Sequence, residues 1–360
     1  MSLRRFFVVL VGMVTVGVVP GPARAAEPTP LRVRVFPGVQ NVALFAGLVK
    51  GHFAKHDLRV DLQFTPNSQA LRDGLAAGAF EIAHAAVDNA VAMVETAGVD
   101  VVIVLGGDRS MNQLFVQPEI QSVADLRGKT VIVDAPNTAY ALQLKKILLV
   151  HGLSAGQDYA VKPIGGTFQR VDAMRENREY AASMLNPPFS IVAERSGLRS
   201  LGPAVKMIGP YQATGAFVLR SWAQANGPAL ERYIQAYVEA LRWALDPANR
   251  DETIALLADR LKLAPDVAAA TYAQAVDPVG GLAPDARLDL EGFRNVLALR
   301  AELEGQWGGR PPAPERYYDL QYYQRALATL GRVGASITVP AARGGPTPLR
   351  PLRYRARIAP

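Results

Sequence analysis

The stretch from Val123 to Leu153, VADLRGKTVIVDAPNTAYALQLKKILLVHGL, constrains the fold more than any other part of the chain. It reads as a turn at Arg127-Gly128, a buried strand Lys129–Val133, a loop Asp134–Thr138 and an amphipathic helix from Tyr140 to Val150. The strand is short, apolar and β-branched, the composition of a strand covered by helices on both faces of a parallel sheet. Asp134, Pro136, Asn137 and Thr138 are turn and N-cap residues. The loop therefore ends at a helix N-terminus, whose free N–H groups point outward. Open α/β sheets bind small molecules at such places, beyond the carboxyl ends of their strands. Gly128-Lys129-Thr130 imitates the end of a phosphate-binding P-loop. That motif requires Gly where this chain has Val123, and it follows a strand instead of preceding one, so no nucleotide site is read here.

The alternation extends in both directions. Before this stretch the pattern predicts strands at Leu31–Phe36, Leu58–Phe64, Glu81–Ala85, Val101–Leu105 and Asn112–Gln117, with helices between the first four. After it come strands at Tyr159–Ile164, Tyr180–Leu185, Lys206–Ile208 and Gly215–Leu219, then a helical remainder at Pro228–Leu245, Asp251–Leu261, Pro265–Ala275 and Leu288–Leu303. Strands alternating with helices of this length make βαβ units and an α/β fold with a mainly parallel sheet. Two such sets imply two lobes, with the chain crossing between them near 112–117 and 205–215.

Residues 1–25 have the pattern of a cleavable secretory signal. Arg4-Arg5 form the basic end, Phe6 to Val19 the apolar run, Pro20-Gly21-Pro22 the breaker and Ala23-Arg24-Ala25 the small-residue site, which predicts cleavage between Ala25 and Ala26 and a periplasmic protein. Beyond that segment no stretch approaches the ~20 apolar residues of a membrane helix. The chain contains no Cys, which excludes disulfides, thiolate chemistry and lipid attachment to an N-terminal Cys. The pI of 9.6 is misleading until the charges are located. Residues 1–25 hold three Arg and residues 332–360 six, with no acid in either segment; setting these aside from the net +7 leaves −2 for residues 26–331. A near-neutral body makes no case for nucleic acid. The Pro/Gly/Arg-rich segment 332–360 is expected to be a disordered basic tail.

Three segments resemble a known family. Gly47–Leu58, GLVKGHFAKHDL, Ala70–Ala83, ALRDGLAAGAFEIA, and Val123–Val131, VADLRGKTV, are similar, in this order, to recurrent segments of the substrate-binding proteins of ABC importers, in the nitrate/sulfonate/taurine group that also includes binders of thiamine pyrimidine precursors. The resemblance spans residues 31 to 310. It implies a type II periplasmic binding protein fold, with two α/β lobes joined by two crossover strands and a ligand in the cleft between them. The lobes are then 26–116 with 206–331, and 117–205. It further implies delivery of a small molecule to an ABC permease of the inner membrane by a monomer that needs no cofactor. Two cleft loops depart from the family's pattern, at Ala135-Pro136-Asn137-Thr138 and at Asn186-Pro187-Pro188, which bears on the ligand and not on the fold.

In that fold the loops after the strands line the cleft, and they offer Gln40, Asn41, Asn67, Ser68, Asp88, Asn89, Asn137, Thr138, Thr167 and Asn186 as ligand-binding residues. Ser68, Asn89 and Thr138 also suit helix caps. Tyr140, Phe168, Phe189 and Tyr211 lie where they can stack on a flat ligand, and His84 reads as a structural histidine. The four His form no metal-ligand pattern with acids, and no metal is expected. The cleft loops so delimited contain no Lys or Arg, Arg170 being the nearest about one helical turn further on, and Asp88 is expected to face the cleft as a free carboxylate. These features favour a neutral or cationic nitrogen-bearing ligand such as a thiamine-pathway aminopyrimidine, with an alkanesulfonate, taurine or nitrate as the alternative, and a periplasmic sensor role as the alternative to transport. Enzymes that resemble this scaffold either use cysteines, which this chain lacks, or, like the naphthoate-forming enzymes of menaquinone synthesis, are cytoplasmic, whereas this chain carries an export signal, so no catalytic residue is assigned.

Overall fold

A computed structural model of the protein describes residues 27–335. The expected signal segment and most of the basic tail lie outside them. Ten strands form two five-stranded sheets. The first comprises β1 (Thr29–Val35), β2 (Leu58–Phe64), β3 (Ile82–Ala86), β4 (Val101–Gly106) and β10 (Thr214–Leu219), in the order β2-β1-β3-β10-β4. The second comprises β5 (Gln113–Val116), β6 (Thr130–Val133), β7 (Ala160–Pro163), β8 (Tyr180–Leu185) and β9 (Arg199–Pro203), in the order β7-β6-β8-β5-β9. The two orders share one plan. Three strands run parallel, and the fourth position is taken by an antiparallel strand that follows a chain crossing: β10 between β3 and β4, β5 between β8 and β9.

Each sheet is sandwiched between helices, so its central strands are apolar on both faces. All six residues of β4, Val-Val-Ile-Val-Leu-Gly, are buried. In the first lobe one face packs Val33, Val35 and Val104 against the helix Gly227–Leu245, and the other packs Ala83, Ile103 and Phe217 against the helix Leu290–Glu304. The second lobe repeats this with Val131, Val133 and Met184 on one face, against the helix Ala139–Val150, and Phe115, Ile132 and Leu185 on the other, against the helix Thr167–Glu176.

The structure corrects the sequence reading in four places. Strand β5 lies in the second sheet, so the first crossing falls at residues 107–112 and not after residue 116. The crossings are not regular strands: the first is irregular, and the second is the short helix Ala204–Ile208 followed by coil. Lys206–Ile208 is accordingly helical: Pro203 ends β9 in an extended conformation, and the helix begins at Ala204. Edge strand β9 was unforeseen. Its sequence Arg-Ser-Leu-Gly-Pro carries a charge, a Gly and a Pro, which suit an edge but give no strand signal.

Asp108 ties the crossings together. Its carboxylate accepts from Ser110 N at 2.9 Å, Met111 N at 3.3 Å and Thr214 Oγ1, while Ala213 N donates to its carbonyl at 3.1 Å. Burial pushes the Asp108 pKa up, partly offset by these donors. The lobes also meet away from the crossings, through the ion pairs Lys145–Glu304 (2.8 Å), Lys146–Glu302 (2.6 Å) and Arg195–Asp266 (2.6 Å).

Candidate functional site

The carboxyl ends of β1, β2, β3, β6, β7 and β8 converge on a cavity of about 520 Å³ between the lobes. Phe36, Gln40, Asn67, Ser68, Arg72 and Asn89 line it from the first lobe; Asp134, Thr138, Tyr140, Thr167, Phe168, Arg170, Asn186 and Phe189 from the second; Asp108, Met111 and Asn112 from the first crossing. A hollow of about 550 Å³ on the outside of the second lobe, bordered by Gln117, Asp172, Arg175 and Arg178, involves that lobe alone.

Seven of the expected residues line the cavity: Gln40, Asn67, Ser68, Asn89, Thr138, Thr167 and Asn186. Several are committed to the backbone. Asn67 caps the helix Ser68–Ala76 by accepting from Ala70 N at 2.8 Å. Thr138 caps the helix Ala139–Val150 and donates to Asp134 and to the Ala135 carbonyl. Thr167 donates to Asn186 Oδ1 at 3.1 Å. The Asn67 and Thr138 caps fix the ends of two loops at the cavity wall.

Three expected residues do not line it. Asn41 is buried beneath the first loop, where its amide donates to the carbonyls of Phe36 and Gly38. Asn137 is exposed, and its carbonyl accepts from Arg300 Nη2 at 3.2 Å. Asp88 is not a free carboxylate: Arg300 Nε and Nη2 donate to its two oxygens at 2.5 and 2.9 Å, with both side chains buried. A bidentate pair of this kind neutralises the charge that was expected to repel anions. Tyr211 is likewise buried away from the cavity, whereas Tyr140, Phe168 and Phe189 line it.

Two arginines that the delimited loops leave out stand in the cavity wall. Arg170 sits one turn into the helix Thr167–Glu176 and is almost fully buried. It donates to Ser183 Oγ (3.0 Å), the Gly165 carbonyl (2.7 Å), Thr167 Oγ1 (3.3 Å) and the Met184 carbonyl (3.0 Å), and stacks over the Tyr140 ring at 4.9 Å. Burial pulls its pKa down and Asp134, at 3.9 Å, works against that. Burial in turn raises the Asp134 pKa, with Arg170 and Thr138 opposing. Arg72 comes from the helix Ser68–Ala76 and is half-buried. Its partners are the neutral oxygens Asn89 Oδ1 (3.3 Å) and Gln69 Oε1 (3.1 Å). Side chains in a helix's first turns lean back toward its N-terminus, so a position four or five residues into the helix covers the preceding loop. That rule was the signal available in the sequence.

His84 is structural, as expected. Its Nε2 lies 2.7 Å from the Tyr233 hydroxyl, its ring stacks on Tyr237, and burial lowers its pKa to about 3. Among the described residues no cluster of three or more His, Asp or Glu side chains is arranged to hold a metal ion.

The two-lobed architecture recurs in solved structures. A ligand-binding component of an ABC-type import system from Staphylococcus aureus is 14% identical, with a TM-score of 0.69 over 83% of this chain and 99% of that one. The alkanesulfonate-binding protein SsuA from Xanthomonas axonopodis pv. citri, bound to MOPS, is 20% identical with a TM-score of 0.63 over 81% and 96%. The periplasmic nitrate-binding protein NrtA from Synechocystis is 15% identical with a TM-score of 0.70 over 89% and 94%. The fold is therefore the α/β type II periplasmic binding protein fold. No curated protein sequence matches the chain. The characteristic sequence of the NMT1-like family matches residues 24–258, well over half of the length, and the chain belongs to that family.

Proposed function

We propose that this protein is the solute-binding component of an ABC-type importer, acting in the periplasm as a monomer that captures a small molecule between its lobes and delivers it to an inner-membrane permease. The observation that carries this reading is the 520 Å³ cavity, walled by both lobes and built from the capped loops at the strand ends. Its volume falls in the range of small-molecule sites, roughly 300–1,000 Å³. Similar folds belong to a ligand-binding component of an ABC-type import system and to sulfonate- and nitrate-binding proteins. Binding without turnover is favoured because the pyrimidine synthases and desulfinases on this scaffold depend on cysteines, of which this chain has none, and the naphthoate-forming enzymes are cytoplasmic whereas this chain has the pattern of an export signal. The charge argument for an aminopyrimidine rested on a free Asp88 and no longer holds once Arg300 is in place. Nitrate alone is too small to fill the cavity, which leaves an organic anion of the sulfonate kind as the better-supported ligand class.

The test is small-angle scattering on the exported protein, with the molecule identified by mass spectrometry after denaturing release. Saturating ligand is expected to reduce the radius of gyration by closing the lobes about the crossings at 107–112 and 204–213. N-terminal sequencing of the same sample is expected to begin at Ala26. An unchanged radius, or conversion of the ligand to product on incubation, would overturn the reading.

A further inference from the structure

We propose that the interlobe cavity takes an aromatic oxyanion, a planar organic acid whose charged group pairs with Arg72 on the first lobe while its ring lies on Phe168 of the second. This rests on the solute-binding reading above and adds the chemical class of the solute.

The charges in the cavity wall are not equivalent. Asp108 is closed by Ser110 N, Met111 N and Thr214 Oγ1. Asp134 is engaged by Thr138 and faces Arg170, whose own donors go to Ser183, Gly165, Thr167 and Met184. Arg72 differs: its guanidinium reaches only amide oxygens, and among the described residues it forms no ion pair. A half-buried guanidinium held by neutral acceptors keeps its full attraction for an incoming oxyanion, and its planar fork suits carboxylate or sulfonate oxygens.

The opposite wall supplies the ring site. Phe168 is 48% exposed although it lines the cavity, and it sits 6.4 Å from the Phe189 ring. Leaving a large apolar face in water at a cavity wall is unfavourable, and a ring laid on it recovers that area with the geometry of an offset or tilted aromatic pair. Gln40 also lines the cavity and brings an amide to the wall, which suits a ring that carries a hydroxyl or amino group. The volume left beyond a four-atom oxyanion accommodates such a body.

The experiment is isothermal titration calorimetry on the exported protein, stripped of bound small molecules by unfolding and refolding, with a matched set of probes: 4-hydroxybenzoate, 4-hydroxybenzenesulfonate, neutral 4-hydroxybenzamide, cationic 4-hydroxybenzylamine, and aliphatic acetate and methanesulfonate. One of the two aromatic anions is expected to bind at least tenfold more tightly than every neutral, cationic and aliphatic member, and which one binds distinguishes carboxylate from sulfonate. Arg72→Gln is expected to weaken that anion by about tenfold to a hundredfold and leave 4-hydroxybenzamide unchanged. Phe168→Ser is expected to erase the preference for aromatic over aliphatic anions. Preferred binding of the amine or the amide, an equal response of acetate or methanesulfonate, insensitivity to Arg72→Gln, or no binding by any probe would each overturn the proposal. Mass spectrometry of the molecule released before stripping separates this failure from that of the solute-binding reading. A neutral or cationic solute overturns the aromatic oxyanion and leaves solute capture standing, whereas no released solute together with no probe binding overturns both.

Discussion

Replacing Arg300 by Met tests the buried ion pair that neutralises Asp88. The side chains are 1% and 4% exposed, and two hydrogen bonds of 2.5 and 2.9 Å join them. Met has similar reach and no charge, so Arg300→Met strands the carboxylate in an apolar setting, with Phe293, Val296 and Tyr317 in the surrounding core. Breaking a buried pair from one side costs about 3–5 kcal/mol. Loss of the bond to the Asn137 carbonyl adds about 1 kcal/mol. The total of about 4–6 kcal/mol, at about 2–4 °C per kcal/mol for a chain of this order, is expected to lower Tm by roughly 8–24 °C. Asp88→Leu alone should cost a similar amount by stranding the guanidinium. The double variant, Asp88→Leu with Arg300→Met, removes both charges and is expected to lie within about 1 kcal/mol of wild type, because an apolar pair can replace a buried ionic one. Urea unfolding followed by circular dichroism measures all four proteins. A single-variant cost below 1 kcal/mol, or a double variant as unstable as the two costs summed, would refute the claim that the pair is a buried, coupled unit.

Three further predictions concern stability. His84 has a folded pKa lowered to about 3 by burial, against 6.5 when unfolded, so below pH 6.5 the unfolded chain binds the extra proton and stability is lost as pH falls. The loss is about 1.4 kcal/mol per pH unit down toward pH 3, and urea midpoints between pH 7 and 5 should show it in wild type and a flatter dependence in His84→Asn. Gly292→Ala places a methyl group 2.5 Å from Gln212 N and 2.7 Å from the Tyr211 carbonyl carbon, so it is expected to cost about 1–3 kcal/mol by pushing the helix Leu290–Glu304 off the second crossing. Gly331→Ala, with open space around it in the helix Gln321–Ala335, should instead stabilise by about 0.5–1 kcal/mol in the same melts.

The parts of the fold legible in the sequence are those governed by local pattern. Val101–Leu105 announces itself because a strand buried on both faces is a continuous apolar run. The helix Pro265–Ala275 is legible from its Pro at the first position. Edge strand β9 escapes because exposure removes the apolar signal, and β5 was assigned to the wrong lobe because a strand's sequence does not say which sheet it joins. In the cavity, short-range loop chemistry located Asn67, Thr138 and Thr167. It misjudged Asp88, whose partner Arg300 lies 212 positions along the chain and is brought near only by the packing of a late helix on the first sheet. Arg72 and Arg170 fall outside the site residues for a geometric reason, since counting loop residues ignores side chains that lean back from the next helix.

The antiparallel placement of β10 has a consequence for how the chain acquires its shape. Strand β4 ends at Gly106 and β10 begins at Thr214, yet β10 supplies the hydrogen bonds that join β3 to β4. A nascent chain that has emerged only through the second lobe still carries β3 and β4 as separate open edges, and its N-terminal half cannot zip up ahead of its C-terminal half. Long-range closure of this kind is slow to form. The first lobe therefore stays unlocked until most of the polypeptide has been made.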